Sequence, residues 1–263
     1  MGDDGYGELK LDMLGTWRLR RNGAALHVAT RQQRLIAALA LKGPHLRSYL
    51  VGLLWPEYPD SKALESLRVS VHLISRQVPG LLVNEGRMLS LSDRVDVDLQ
   101  RVRLQIRSLG QGEYGPGTTS LLHDLRDAQL LPGWYEDWVM IEQTRLQQER
   151  LRAFTDISTA SLALGDMGTA EAAAEAALAV EPLYETAVTL LIRAEMGQGN
   201  PAAALRAYER YRRQLKEDMG LPPSKSVGEL LAAVLAGQSQ AGRKRLIPAG
   251  GSWLGGQPAL HHS

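Results

Sequence analysis

A chain of 263 residues with 44% hydrophobic and 22% charged side chains has enough apolar mass to fold around one large or two ordinary cores, which excludes a largely disordered chain. It contains no cysteine, so disulfide frameworks, thiolate metal sites and cysteine nucleophiles are excluded. The net charge is +1, and residues 1–98 hold 13 Lys+Arg against 11 Asp+Glu; any nucleic-acid binding must come from local placement of charge, because no strongly basic domain is present.

The first elements are short and extended. Leu9, Leu11 and Met13 alternate with polar residues, then Thr16–Arg20 and Ala24–Val28 follow around the turn Arg21-Asn22-Gly23, which predicts a small antiparallel sheet. Arg18, Arg20 and Arg21 are expected on its solvated edge. Thr30 is placed to cap a helix over Arg31–Lys42, ended by Gly43-Pro44. Arg31 and Arg34 lie in its first turn, where they oppose the helix dipole; they either meet an anion or simply face solvent. A second helix spans Arg47–Trp55 and stops at Pro56. A third, Asp60–Val78, carries Leu64, Leu67, Val71, Ile74 and Val78 at helical spacing, the stripe of one buried face. Its other face holds Lys62, Glu65, Val69, His72, Leu73 and Arg76, with Arg68 on the flank. Pro79-Gly80 ends it, and LLVNEGRMLSL then reads as two strands about a tight turn with Arg87 at the tip. Three helices followed by a hairpin is the order of a winged helix-turn-helix, in which the last helix enters the major groove and the hairpin is the wing.

Beyond a polar bridge at Arg94–Leu99 the periodicity becomes helical. The pattern predicts helices over Leu99–Leu109, Leu121–Leu130, Glu136–Leu164, Thr169–Val180, Tyr184–Gly197, Pro201–Met219 and Lys225–Ala236, with a glycine-rich loop at Gln111–Thr119. Trp134, Tyr135 and Trp138 fall within five residues; packing of a core plug is favoured over a ligand cage. Gly165-Asp166-Met167-Gly168-Thr169-Ala170 and Gly199-Asn200-Pro201-Ala202-Ala203-Ala204 stand 34 residues apart, the tetratricopeptide period, with alanines at the helix crossings. The fold class is therefore mainly α: an N-terminal winged helix-turn-helix with a small sheet and wing hairpin over 1–93, and a tetratricopeptide-like helical domain over 94–236. A tail over 237–263, rich in Gly, Ser, Gln and Pro, is expected to be disordered and holds the basic cluster Arg243-Lys244-Arg245.

Catalytic signatures are missing. The six histidines do not form a metal spacing, no GxSxG or GxxxxGK occurs, and Asp93, Asp96 and Asp98 lack a glycine-bearing calcium loop. No enzyme activity, cofactor or metal is expected. No apolar run reaches the length of a membrane span, and Met1–Lys10 is acidic and Gly-rich, unlike a signal peptide, so a cytoplasmic protein away from membranes is expected.

The segments LDMLGTWRLRRNG, TRQQRLIAALALKG, LVGLLWPE, ALESLRVSVHLISRQVPG, LPGWYEDWV, ALAVEPLYETA and AALRAYERYRRQLKEDMGLPPS occur in that order from about Leu9 to Leu235. Together they resemble the Streptomyces antibiotic regulatory protein family, which joins an OmpR-type winged helix to a bacterial transcriptional activator domain. The resemblance implies a cytoplasmic transcriptional activator of a secondary-metabolite type gene cluster, bound to double-stranded DNA at direct repeats as a homodimer and recruiting RNA polymerase holoenzyme. Family recognition helices commonly carry arginine where this chain has Leu73 and Ser75, and a polar or basic residue where it has Tyr49; Arg68 and Arg76 stand at matching positions. Under this reading Arg76 and His72 reach base edges or nearby phosphates, Lys62 and Arg68 contact flanking phosphates, and Arg31, Arg34 and Arg87 hold the backbone. The other reading is a degenerate winged helix that regulates through a protein partner. Val69 and Leu73 on the outward face suit either thymine methyls or such a partner.

Overall fold

The computed structural model describes residues 7–115, 117–233 and 236. Strands β1 (Leu9–Asp12), β2 (Arg18–Arg21) and β3 (Ala24–Leu26) form the expected antiparallel meander. Asn22 and Gly23 both have positive φ, 49° and 82°, which the tight β2–β3 connection requires. The Asn22 side chain also accepts a hydrogen bond from Glu8 N at 2.8 Å. Helix α1 (Thr30–Lys42) starts one residue earlier than expected: Ala29 is the cap, and Thr30 makes no capping hydrogen bond. Strand β4 (His45–Leu46), helix α2 (Arg47–Leu54), helix α3 (Asp60–Gln77) and the hairpin β5 (Leu82–Glu85) and β6 (Met88–Leu91) complete the winged helix. The wing has three strands, in the order β4-β6-β5.

The segment read as a polar bridge is a strand. β7 (Val95–Val97) pairs parallel with β1, so the N-terminal sheet has the order β3-β2-β1-β7 and extends past residue 93. Val95 and Val97 are buried, and Asp96 points outward to Arg101 at 2.5 Å. Helix α4 (Asp98–Gly110) begins at once. Its first residue is buried: Asp98 Oδ2 accepts from Met13 N and Leu14 N, both at 2.8 Å, and Oδ1 from Leu99 N at 2.6 Å. Burial raises its pKa against the opposing effect of these three N–H groups. Asp98→Ala leaves two backbone donors at the end of β1 without their acceptor; a loss of about 2 kcal/mol in a urea titration is expected.

Helix α5 (Gly117–Arg126) ends four residues before Leu130, where the periodicity had carried it. The residues beyond it run back against β1: Gly15 N donates to Gln129 O at 2.7 Å and Leu131 N to Met13 O at 2.8 Å. Leu131 adopts φ 43° to make this return. Helix α6 (Asp137–Leu164) then enters the same core. Leu130, Leu131, Trp138, Val139 and Leu146 pack with Leu11, Leu35, Leu50, Leu67 and Ile74 in one apolar cluster. Trp138 is thus a core plug and Trp134 packs beside it, but Tyr135 is 81% exposed and takes no part in the plug.

Helices α7 (Met167–Val180), α8 (Glu185–Gly197) and α9 (Pro201–Met219) stack in antiparallel succession on α6, and residues 225–233 are helical. The 34-residue period has a backbone basis: Gly165 caps α6 and Gly199 follows α8, one repeat on, with φ 79° and 78°. Buried Ala170, Ala173, Ala174 and Ala177 let α7 approach its neighbours closely. Glu185 Oε2 accepts from Tyr211 OH at 2.9 Å and from Ser224 N at 3.0 Å, fixing α9 and the segment after it to α8. Burial, reinforced by that carboxylate, pushes Tyr211 up to about 12. The expected disordered tail, its Arg243-Lys244-Arg245 cluster and the end of the last expected helix at residues 234–235 lie outside the described residues. Among those described, no helix is long and apolar enough to cross a membrane.

Candidate nucleic-acid interface

The orientation of α3 is set by its apolar face. Ala63, Leu67, Val71 and Ile74 are buried with Val78 just beyond the helix, and Ser66 and Ser70 join them because the Ser70 hydroxyl donates to Ser66 O at 2.8 Å. Leu64, read as part of the buried stripe, is 36% exposed instead. Ala63 takes the inward position one residue earlier, since the stripe drifts along a helix of 3.6 residues per turn. The C-terminal end of α3 is tied down twice. Gln77 Nε2 donates to His27 O at 2.5 Å, and Arg21 Nη2 donates to Pro79 O at 2.7 Å. Arg20 pairs with Asp12 at 2.5 Å, so these two strand arginines hold the scaffold where a solvated edge was expected.

Fixing that face turns Lys62, Glu65, Arg68, Val69, His72, Leu73, Ser75 and Arg76 outward, all exposed. Arg68, His72 and Arg76, spaced i, i+4 and i+8, form one ridge with no hydrogen bond or ion pair to their side chains among the described residues. Lys62 Nζ stands 4.6 Å from the centroid of the Tyr58 ring, a cation–π contact that holds it at the N-terminal end of the helix. Val69 and Leu73 are 46% and 42% exposed.

The wing turn is Gly86-Arg87, with Gly86 at φ 61°. Arg87 is exposed, and its carbonyl accepts from Arg47 N at 3.0 Å. Arg47 Nη2 donates to Asn84 Oδ1 at 3.0 Å. The start of α2 is therefore bolted to the wing, and Tyr49 lies beside it with its ring 4.3 Å from that of His45. Sequence reasoning missed Arg47 as a wing support. Its signal, a basic residue opening a helix after a two-residue strand, is visible only once β4 is paired with β6.

The two arginines of α1 part company. Arg31 is exposed at the first turn. Arg34 is turned inward: Nη2 donates to Leu54 O at 3.2 Å, and Nε lies 2.8 Å from Glu136 Oε1, close enough for an ion pair but not aligned as a hydrogen bond. Arg34 is thereby engaged by a carboxylate and a carbonyl and links α1 to the start of α6.

Residues 119–235 match the family described as the bacterial transcriptional activator domain. The chain is 29% identical to the regulatory protein AfsR of Streptomyces coelicolor over 241 residues, covering 87% of this chain and 24% of that protein. It is 23% identical to the transcriptional regulatory protein MoaR1 of Mycobacterium tuberculosis, covering 87% of this chain and 80% of that one. The chain thus spans about a quarter of the length of the AfsR relatives, 24% and 26% for the two species. Among solved structures, Mycobacterium tuberculosis EmbR in complex with a low-affinity phosphopeptide superposes with a TM-score of 0.66 at 21% identity, covering 92% of this chain and 73% of that chain. That likeness establishes a shared fold.

Proposed function

We propose that the chain, whose residues 119–235 match the bacterial transcriptional activator domain and which is similar to the AfsR regulators, is a member of the Streptomyces antibiotic regulatory protein family and a sequence-specific DNA-binding transcriptional activator. The observation that carries the reading is the free ridge Arg68–His72–Arg76 on the outward face of α3, beside a wing tip bearing Arg87. In this reading α3 lies in the major groove of double-stranded DNA. Arg76 donates two hydrogen bonds to a guanine edge, O6 and N7, and His72 reaches the neighbouring base or phosphate. Lys62 and Arg68 contact flanking phosphates, Arg87 takes the backbone or the minor groove, and Arg31 steadies the backbone from α1. Val69 and Leu73 meet thymine methyls. Two copies occupy a direct repeat as a homodimer. Residues 1–93 face DNA, and residues 94–236 face RNA polymerase holoenzyme at a gene cluster of secondary-metabolite type in the cytoplasm.

A second reading draws on the same helix. Glu65 and the two apolar side chains on the outward face suit a protein partner, with regulation exerted through that partner and not by base readout. A mobility-shift titration of the full chain against fragments of its own upstream region separates the two. Direct binding gives a retained fragment whose affinity falls linearly on a log–log plot as salt rises, with a slope of roughly −0.9 per phosphate neutralised. Four to six contacts predict a loss of about a hundredfold or more between 50 and 200 mM salt. Failure to retain any specific fragment at low salt removes the activator reading.

A further inference from the structure

The groove between α4 and α6 is lined by none of the residues assigned to the proposed DNA face. α6 presents Arg145, Gln148, Glu149 and Arg152, at i, i+3, i+4 and i+7, and α4 presents Arg103, Ile106 and Arg107, at i, i+3 and i+4. The two rows line a cavity of about 390 Å3. Four guanidiniums thus line it with one carboxylate. Both Glu149 oxygens are taken: Oε2 accepts from Arg103 Nε at 2.8 Å and Oε1 from Arg145 Nε at 3.1 Å. Arg103 Nη2 is committed to Glu142 at 3.0 Å. Arg107 and Arg152 have no hydrogen bond or ion pair to their side chains among the described residues. Asp156, one turn further along α6, attracts Arg152 without reaching ion-pair distance.

Four guanidiniums share Glu149, with Glu142 divided between Arg103 and Lys42 and Asp156 beyond ion-pair reach of Arg152, so positive charge is in excess in the groove and attracts an anion. Guanidinium forks match phosphate oxygens in pairs, and the cavity has the size of a small-molecule site. We propose that the α4–α6 groove binds a small ligand bearing two linked phosphate groups, with Arg107 and Arg152 as its principal donors. The uncommitted N–H groups of Arg145 and Arg103 complete the cradle. Ile106 and Gln148 offer one apolar and one neutral polar contact to the rest of the ligand. Because the walls belong to two helices, occupancy clamps α4 to α6. Arg103 also reaches Glu142, which accepts from Lys42 of α1, so the ligand draws on the network that holds the winged helix.

The test needs no operator DNA, so it stands or falls separately from the activator reading. Full-length protein is titrated calorimetrically with inorganic pyrophosphate, and with inorganic phosphate at matched ionic strength, and melted in the presence of each. One equivalent of pyrophosphate should bind more tightly than phosphate and raise the melting temperature. R107A/R152A should weaken pyrophosphate by at least about tenfold while its ligand-free melting temperature stays near that of the parent. R152Q, a milder change at an exposed position, should weaken it in the same direction if the double variant folds poorly. R213A/K216A removes equal charge from the exposed face of α9 and should leave the affinity within about twofold. No heat and no stabilisation up to millimolar pyrophosphate overturns the proposal, as does equal loss in the groove and α9 variants. So does a result in which R107A/R152A abolishes retention on a generic DNA duplex while pyrophosphate never binds, which would assign the groove to DNA phosphates.

Discussion

Replacing Glu142 with alanine is expected to destabilise the protein by about 3 kcal/mol in a urea titration, near the low end for breaking a buried ion pair from one side. Glu142 is buried on α6, and each of its oxygens serves a different partner. Oε1 accepts from Lys42 Nζ of α1 and Oε2 from Arg103 Nη2 of α4, both at 3.0 Å. Removing the carboxylate leaves two largely covered cations facing one another, and their partial solvent access keeps the loss from the upper end of that range. Glu142→Gln retains shape and one acceptor, so it should lose less. The pH dependence has a fixed sign. Burial alone would raise the Glu142 pKa, but the hydrogen bonds and charges of Lys42 and Arg103 outweigh it and hold the carboxyl below the ordinary glutamate range. A depressed folded pKa means the stabilisation is complete above the unfolded value and lost as pH falls through the folded one. The difference in unfolding free energy between parent and Glu142→Gln should therefore narrow as the medium is acidified below the ordinary glutamate range. A difference independent of pH would show that the network does not act through ionisation.

Arg76→Ala is expected to relax base preference at a single operator position, worth about 1–3 kcal/mol of discrimination, with the rest of the recognition pattern unchanged. The measurement is a binding titration against operator variants changed one base pair at a time. Arg76 is exposed and unpaired among the described residues, so its removal should leave the melting temperature almost unaltered. Arg34→Ala should behave in the opposite way. It removes the contacts to Glu136 and Leu54 O and lowers stability, while the salt slope of DNA binding stays the same. If Arg34→Ala flattens that slope and Arg76→Ala changes no base preference, the assignment of the two arginines is reversed. Lys62→Ala and Arg68→Ala, as phosphate contacts, should weaken binding evenly across sequences and reduce the slope by about one each.

Elements whose signal is local were legible before any coordinates. The Asn22-Gly23 turn, the Gly86-Arg87 wing turn, the stop at Pro79-Gly80 and the Gly165/Gly199 period each depend on a few adjacent residues, and each marks an element end in the structure. The same holds for which residues of α3 face outward, apart from Leu64. A buried face of Leu67, Val71 and Ile74 leaves the polar residues no other side.

Beyond the Thr30 cap and Leu64, the misread features depend on partners far along the chain. Val95–Val97 reads as a polar linker because Asp93, Asp96 and Asp98 interrupt it, yet it pairs with β1, 86 residues away by register. Asp98 is buried only because Met13 N and Leu14 N need an acceptor. Helix α5 ends early because Gln129 and Leu131 bond to the backbone after β1. The fate of Arg34 was undecidable locally, since its partner Glu136 lies 102 positions on, and so was the convergence of Arg103 and Arg107 with Arg145 and Arg152. Periodicity records whether a side chain faces in or out of its own element. Which distant carboxylate, carbonyl or neighbouring arginine it then meets is set by how the elements pack, and for this protein that packing separates the arginines left free on α3 from those that hold the two halves together.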